Sequence, residues 1–325
     1  MLAVMEGPAV SSLTIRHVTT YRYRRPVVFG EHRMMLRPRD SHVQRVLEAR
    51  LRIFPEPESL HFVQDAYGNH VGVARFSGRA KSLRFESVVR LEHSAHEAAA
   101  LDAEGVASAV PGVYSADEAP DLAQCIQRHQ SDPDDEIGHW ARRFLPEDGS
   151  IGAFALLDRM SHGIRRDFHY RRREEKGIQS AVETLRFGHG SCRDFAVLLI
   201  EAARSFGIAA RFVSGYLAPP LDDFEASSHG STHAWAQAYL PGAGWVDFDP
   251  TNGGVGAAGL ITVAVVRDPR QALPLHGVFT GFASDSLGME VEVSVTPEAP
   301  VDFPARRRQI ARPDGSNKGA AALTA

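Results

Sequence analysis

The chain has 325 residues, enough for two domains and a substantial buried core. Hydrophobic residues make up 43% and charged residues 23%, values that exclude wholesale disorder, collagen and coiled coil. The net charge of −4 carries no basic footprint for a nucleic-acid partner.

The cysteines narrow the classes further. With only Cys125 and Cys192 present, a disulfide framework and a Cys-rich zinc module are both excluded. The first residues show neither a basic region nor a long apolar stretch, and no apolar run approaches the ~20 residues of a membrane span. The expectation is a cytoplasmic protein with reduced thiols and no membrane partner.

From residue 13 to about 93 the pattern is β. Leu13, Ile15, Thr19, Tyr21 and Tyr23 alternate with Thr14, Arg16, Thr20, Arg22 and Arg24. Further short runs at 33–36, 46–54, 70–76 and 83–91 are separated by turn residues such as Pro55-Glu56-Pro57 and Tyr67-Gly68-Asn69, which predicts an antiparallel sandwich or barrel. Residues 95–120 are rich in Ala, Glu and Asp and read as a linker. Helices follow over 134–145 and 151–164. The run from Arg165 to Arg173 is a basic cluster, read as a solvated surface or as one wall of a substrate cleft. Strands return at 209–217, 233–240, 245–249, 260–266 and 289–295. Residues after 301 read as a disordered tail.

Between these blocks lies Gly188-His189-Gly190-Ser191-Cys192-Arg193-Asp194-Phe195. Phe195, Leu198, Leu199, Ala202, Ala203 and Phe206 then recur with helical spacing, and Gly207 is a natural terminator. Ser191 is a good N-cap, and Asp194 three residues on completes a capping pattern. Cys192 thus opens a helix, where unpaired first-turn N–H groups favour a thiolate and can stabilise an oxyanion. Cys125 has no such context and reads as packing.

A cysteine nucleophile needs a base, and the base an orienting partner. His233, Trp235, Gln237 and Tyr239 share one strand face, while Trp245, Asp247 and Asp249 share one face of the return strand. A three-residue hairpin loop would put odd positions opposite odd ones and bring Asp249 within hydrogen-bonding reach of His233. A four-residue loop would break that parity. A zinc reading through His229, His233 and Cys192 is weak, because His229 falls in a Gly/Ser loop rather than on a helix.

Four motifs in order carry a resemblance: Gly190-Ser191-Cys192-Arg193-Asp194, Gly215-Tyr216, Thr232-His233-Ala234-Trp235 and Gly244-Trp245-Val246-Asp247-Phe248-Asp249-Pro250-Thr251-Asn252. Together they resemble the bacterial transglutaminase-like superfamily of cysteine proteases. Leu13 to His17, Gly30-Glu31-His32 and Asp65 to Asn69 are similar to its N-terminal domain. The resemblance implies an α+β fold. An antiparallel β-sandwich-like domain (12–95) would precede a linker and helical crossover (96–150). A papain/transglutaminase-like core (151–295), with a catalytic helix on an antiparallel sheet, would include the last strands. It also implies Cys192 as nucleophile, His233 as base and Asp249 as the orienting carboxylate, with Asp247 as runner-up. The expected substrate is a peptide or protein amide, with no metal or cofactor. Animal transglutaminases have Trp where Arg193 stands, which weighs against cross-linking. Amine transfer to glutamine, and a non-catalytic partner-binding scaffold, are the alternatives.

Overall fold

The computed structural model describes residues 10–94, 114–171, 177–218, 230–256 and 259–297. It is a mixed α/β fold built mostly from antiparallel sheets. The first sheet is organised by one long strand, β1 (Val10–Met34), because the alternation noted above runs on almost unbroken. β2 (Gln44–Phe54), β3 (Ser59–Gln64), β4 (His70–Arg75) and β5 (Arg79–Ser94) join it in the order β2-β5-β1-β4-β3. The register of β1 against β5 shifts between Arg22 and Val27, and Val27, Phe29, Met34, Leu83 and Phe85 close a core of their own around this break.

Two strands from the end of the chain complete this sheet, β13 (Leu275–Thr280) and β14 (Ser286–Pro297), both antiparallel to β1. That corrects the expected domain division, which placed the strand at 289–295 in the core. Chain order favoured the core. Pairing with β1 wins because the alternating Met289, Val291, Val293 and Val295 continue one face with Tyr21, Thr19, His17 and Ile15.

The helical block begins earlier than expected. α1 (Glu118–Ile126) starts inside the stretch read as linker, where Pro120 falls in the first turn and costs no helical hydrogen bond. α2 (Glu136–Arg142) is shorter than the 134–145 expectation. Its leading N–H groups, on Glu136 and Ile137, donate to the Asp132 carboxylate at 2.8 and 3.0 Å. α3 (Ala153–Asp167) and α4 (Ala181–Phe187) follow, with a two-residue parallel pairing of β6 (His169–Tyr170) and β7 (His189–Gly190). Residues 172–176, which hold part of the basic cluster, the greater part of the 218–231 loop with His229, and the tail lie outside the described residues.

The core is α5 (Cys192–Ser205) laid on a second antiparallel sheet. Its strands are β8 (Ala210–Leu217), β9 (Ser231–Leu240), β10 (Gly244–Asp249), β11 (Gly254–Val255) and β12 (Leu260–Val266), in the order β11-β10-β9-β8-β12. Every α5 residue from Asp194 to Arg204 is buried. Phe195, Leu198 and Leu199 share one buried core with Ala234, Ala236 and Ala238 of β9. Each such large side chain contributes about 1.5–3 kcal/mol by leaving water, and the small alanines let the helix approach closely. Among the described residues no helix is long and apolar enough to cross a membrane.

The two sheets meet along β8 and β12. Leu13, Ile15 and Val295 pack on Tyr216, Ile261 and Val263. Buried polar groups are paired across the seam: Asn69 Nδ2 donates to the Val265 carbonyl at 2.8 Å, and the Val265 N–H donates back to Asn69 Oδ1 at 2.9 Å. This seam fixes the N-terminal sheet against the core beside the N-terminal end of α5.

Candidate active site

The approach to Cys192 is set by glycine and by a buried carboxylate. Gly188 takes a left-handed conformation (φ 64°) and ends α4. The backbone N–H and the hydroxyl of Ser191 both donate to Asp194 Oδ2 at 2.8 Å, as the capping pattern predicts. Asp194 Oδ1 accepts from the Gln179 N–H at 2.8 Å, a contact no sequence pattern signalled. With Asp194 fully buried and held from several sides, the first turn of α5 is rigid. Cys192 is a free thiol, partly exposed at its mouth.

His233 comes from β9. In the hairpin, Leu240 pairs with Gly244 and Gln237 with Asp247, so the loop holds the three residues 241–243. That is the parity under which Asp249 lies diagonal to His233. His233 Nε2 and Asp249 Oδ2 are 2.8 Å apart. That contact leaves the other ring nitrogen clear of Asp249, and Cys192 is near enough to act on the imidazole. Burial alone would push His233 down. The hydrogen-bonded Asp249 carboxylate and the neighbouring Cys192 outweigh it and hold its pKa up at about 9. Asp249 responds in the opposite sense. Its burial favours the neutral acid, but the bonds from His233, Asn252 and Thr251 hold it below the usual carboxylate range.

The turn after β10 aims Asp249. The Thr251 N–H donates to Oδ1 at 3.0 Å, and Asn252 Nδ2 donates to Oδ2 at 2.7 Å. This is an Asx-type arrangement that the Asp-Pro-Thr-Asn run could have announced. Asp247 serves different groups: its Oδ1 accepts from Trp235 Nε1 and Gln237 Nε2. Burial raises its pKa, against the pull of those two bonds. The Trp235 ring in turn lies nearly parallel to His233, with centroids 6.0 Å apart. Sequence reasoning weighed Asp247 as a rival for His233. The structure makes it the anchor of the tryptophan behind the imidazole.

Gly215 explains its motif. It pairs with His233 across β8 and β9, and a Cβ there would fall 2.0 Å from the Ile261 carbonyl oxygen and 2.8 Å from the Trp235 ring. Only glycine lets β12 and Trp235 approach behind the histidine.

Cys192 and His233 open on a cleft of about 1490 Å³, bordered by Tyr170, Thr232, Thr251 and Asn252. Tyr170 brings one member of the basic 165–173 run into the cleft wall. Arg165 instead packs over Gly253, where a Cβ would meet its Cδ at 2.8 Å. Arg193 lines the same cleft. Its guanidinium donates to the Ala272 carbonyl at 3.2 Å and lies 5.7 Å from the Phe212 ring centroid.

Comparison with known proteins agrees with this architecture. The bacterial transglutaminase-like N-terminal region matches residues 13–92, and the transglutaminase-like superfamily matches residues 148–250. Over these two regions the chain is similar to the transglutaminase-like superfamily. A candidate cysteine protease from Cytophaga hutchinsonii shares the fold, with a TM-score of 0.66 at 20% identity over 91% of this chain and 93% of that one. An uncharacterized Mycobacterium tuberculosis protein is 29% identical over 305 residues, 87% of this chain and 92% of that protein. One from Mycobacterium leprae is 38% identical over 116 residues, 35% of this chain and 41% of its own.

Proposed function

We propose that the protein is a thiol-dependent hydrolase or acyltransferase acting on an amide, peptide or isopeptide bond. One observation carries the reading: His233 is held between the Asp249 carboxylate and Cys192, at the opening of a rigid helix. An imidazole with a pKa near 9 is protonated at neutral pH, with the Asp249 carboxylate as its counter-ion, and so holds a proton to give.

The Cys192 sulfur attacks the amide carbon, and the carbonyl π pair moves onto oxygen. The first-turn N–H groups of α5, which have no partner within the helix, are the donors available to that oxyanion. His233 gives its proton to the amine as the C–N bond breaks, leaving a thioester and a neutral imidazole. A water, or an amine, then attacks the thioester while His233 takes its proton, and the sulfur leaves as thiolate. Asp249 keeps the imidazole in orientation and stabilises its charged form. Cys192 must stay reduced, so the reading belongs to a reducing compartment such as the cytoplasm.

Arg193, committed to Ala272 and Phe212, occupies the place of the tryptophan of animal transglutaminases, and this favours water over a protein amine as acceptor. The test is turnover of a peptide-amide library with and without a primary amine. Cys192-dependent hydrolysis supports the reading, amine adducts in place of hydrolysed products shift it to transfer, and turnover that survives Cys192→Ala refutes it.

A further inference from the structure

The cleft has a second wall, supplied by the N-terminal sheet. On paired strands β1 and β14, Tyr21 stands opposite Met289, Thr19 opposite Val291, His17 opposite Val293 and Ile15 opposite Val295. Alternate residues of paired strands share one face. At one end of this face Ile15 and Val295 are fully buried against the core sheet. Toward the other end it opens: Val293 and Val291 are half-buried and Met289 is 56% exposed. His17, Thr19, Met289, Val291 and Val293 border the same cleft as Cys192 and His233.

The polar members of this wall are buried, bonded to neighbours and uncharged. His17 Nδ1 lies 2.9 Å from the Tyr216 hydroxyl, and Nε2 lies 3.0 Å from the Thr19 hydroxyl. Burial pushes His17 down to about 4, so the imidazole is neutral near pH 7. Two of the arginines farther along the cleft are paired, Arg270 with Asp268 and Arg204 with Glu201, and none of the cleft's charged side chains belongs to this face. What the wall presents is methyl and thioether surface, partly wet and open to being covered.

We propose that the β1–β14 wall selects the acyl donor: a peptide or protein segment whose side chain beside the scissile amide is apolar and packs on Met289, Val291 and Val293. This rests on the reading of Cys192 as the nucleophile. A carbonyl at the sulfur places its flanking side chain in the remainder of the cleft. An apolar side chain against Met289, Val291 and Val293 removes nonpolar area from water on both partners, whereas a carboxylate or ammonium set on those groups loses its water and gains no partner from them. The unbranched Met289 adapts its shape to the apolar group it meets.

The experiment uses the full chain and peptidyl vinyl sulfones that differ only in the side chain next to the electrophile: Leu, Val, Asp or Lys. Cys192 labelling is followed by mass spectrometry, and each rate is divided by the iodoacetamide rate of the same variant, since iodoacetamide carries no side chain. The expected result is labelling by the Leu and Val probes about tenfold or more faster than by the Asp and Lys probes. Val291→Asp should erase that preference, and the milder Val291→Ala should weaken it. Equal rates for all probes, or a preference that survives both variants, overturns the wall's role while leaving the nucleophile in place. A Cys192 unreactive toward iodoacetamide and every probe overturns the nucleophile reading, and the wall's role falls with it.

Discussion

The two cysteines sit at opposite ends of their helices. Cys125 occupies the last turn of α1, packed with Leu122 and Ala209 and only 7% exposed, and burial pushes its thiol up. Cys192 is the first residue of α5, partly exposed and near enough to His233 to help hold its pKa up. Helix N-termini favour negative charge and C-termini disfavour it. Reactivity is therefore assigned by position and neighbour, and the same residue type reads as filler in one helix and as chemistry in the other.

The sharpest way to break this contrast is substitution. Cys192→Ala should cut turnover roughly 10³-fold or more, while Cys125→Ala should leave kcat within about twofold and lower stability by ~1–3 kcal/mol. Steady-state kinetics and denaturant melts read the two effects. Next in size is Asp249→Asn, which keeps the shape but removes the charge on His233; kcat should drop about 10²–10⁴-fold. Alkylation sharpens the contrast without any substrate. Iodoacetamide at neutral pH should modify Cys192 at least about tenfold faster than Cys125, as peptide mapping would show, and equal rates would erase the distinction.

The pH profile follows from His233. Its folded pKa of about 9 lies above the ordinary 6.5, so the charged form is the one stabilised. That contribution to stability is complete below about 6.5 and disappears as pH rises through about 9. Acylation consumes the same proton, so kcat should fall on the alkaline side near pH 9, and Asp249→Asn should move that limb to lower pH. The smallest effect is expected from Asn252→Ala. It removes one donor to Asp249 and should cost about three- to tenfold in kcat.

The site was legible where chemistry coincides with local pattern. Ser191 and Asp194 flanking Cys192 announce a capped helix start. The odd-numbered residues of 233–249 announce a shared face, once the three-residue loop is granted. The remaining contacts come from residues brought together by folding: Gln179 on Asp194, Trp235 behind His233, and Asp247 beneath that tryptophan. No periodicity predicts which of two carboxylates on one strand face meets the histidine, because each lies within reach of several partners. In the fold, the helix of α5 and the β character of residues 13–93 were readable from spacing. The placement of β14 was not. Alternation marks a strand without naming its partner, and the partner here is the first strand of the chain.

That closure has a consequence for how the molecule is made. Thr296 donates to the carbonyl of Thr14, 282 residues away, and β14 lies against β1 along most of its length. Contacts of such separation form late, because a long loop must close before they stabilise anything. During synthesis β1 waits with one edge and one apolar face uncovered until the last strand arrives. The second wall of the cleft is then among the final parts to assemble, so a chain truncated before β14 should hold Cys192 and His233 on a folded core yet lack a finished cleft.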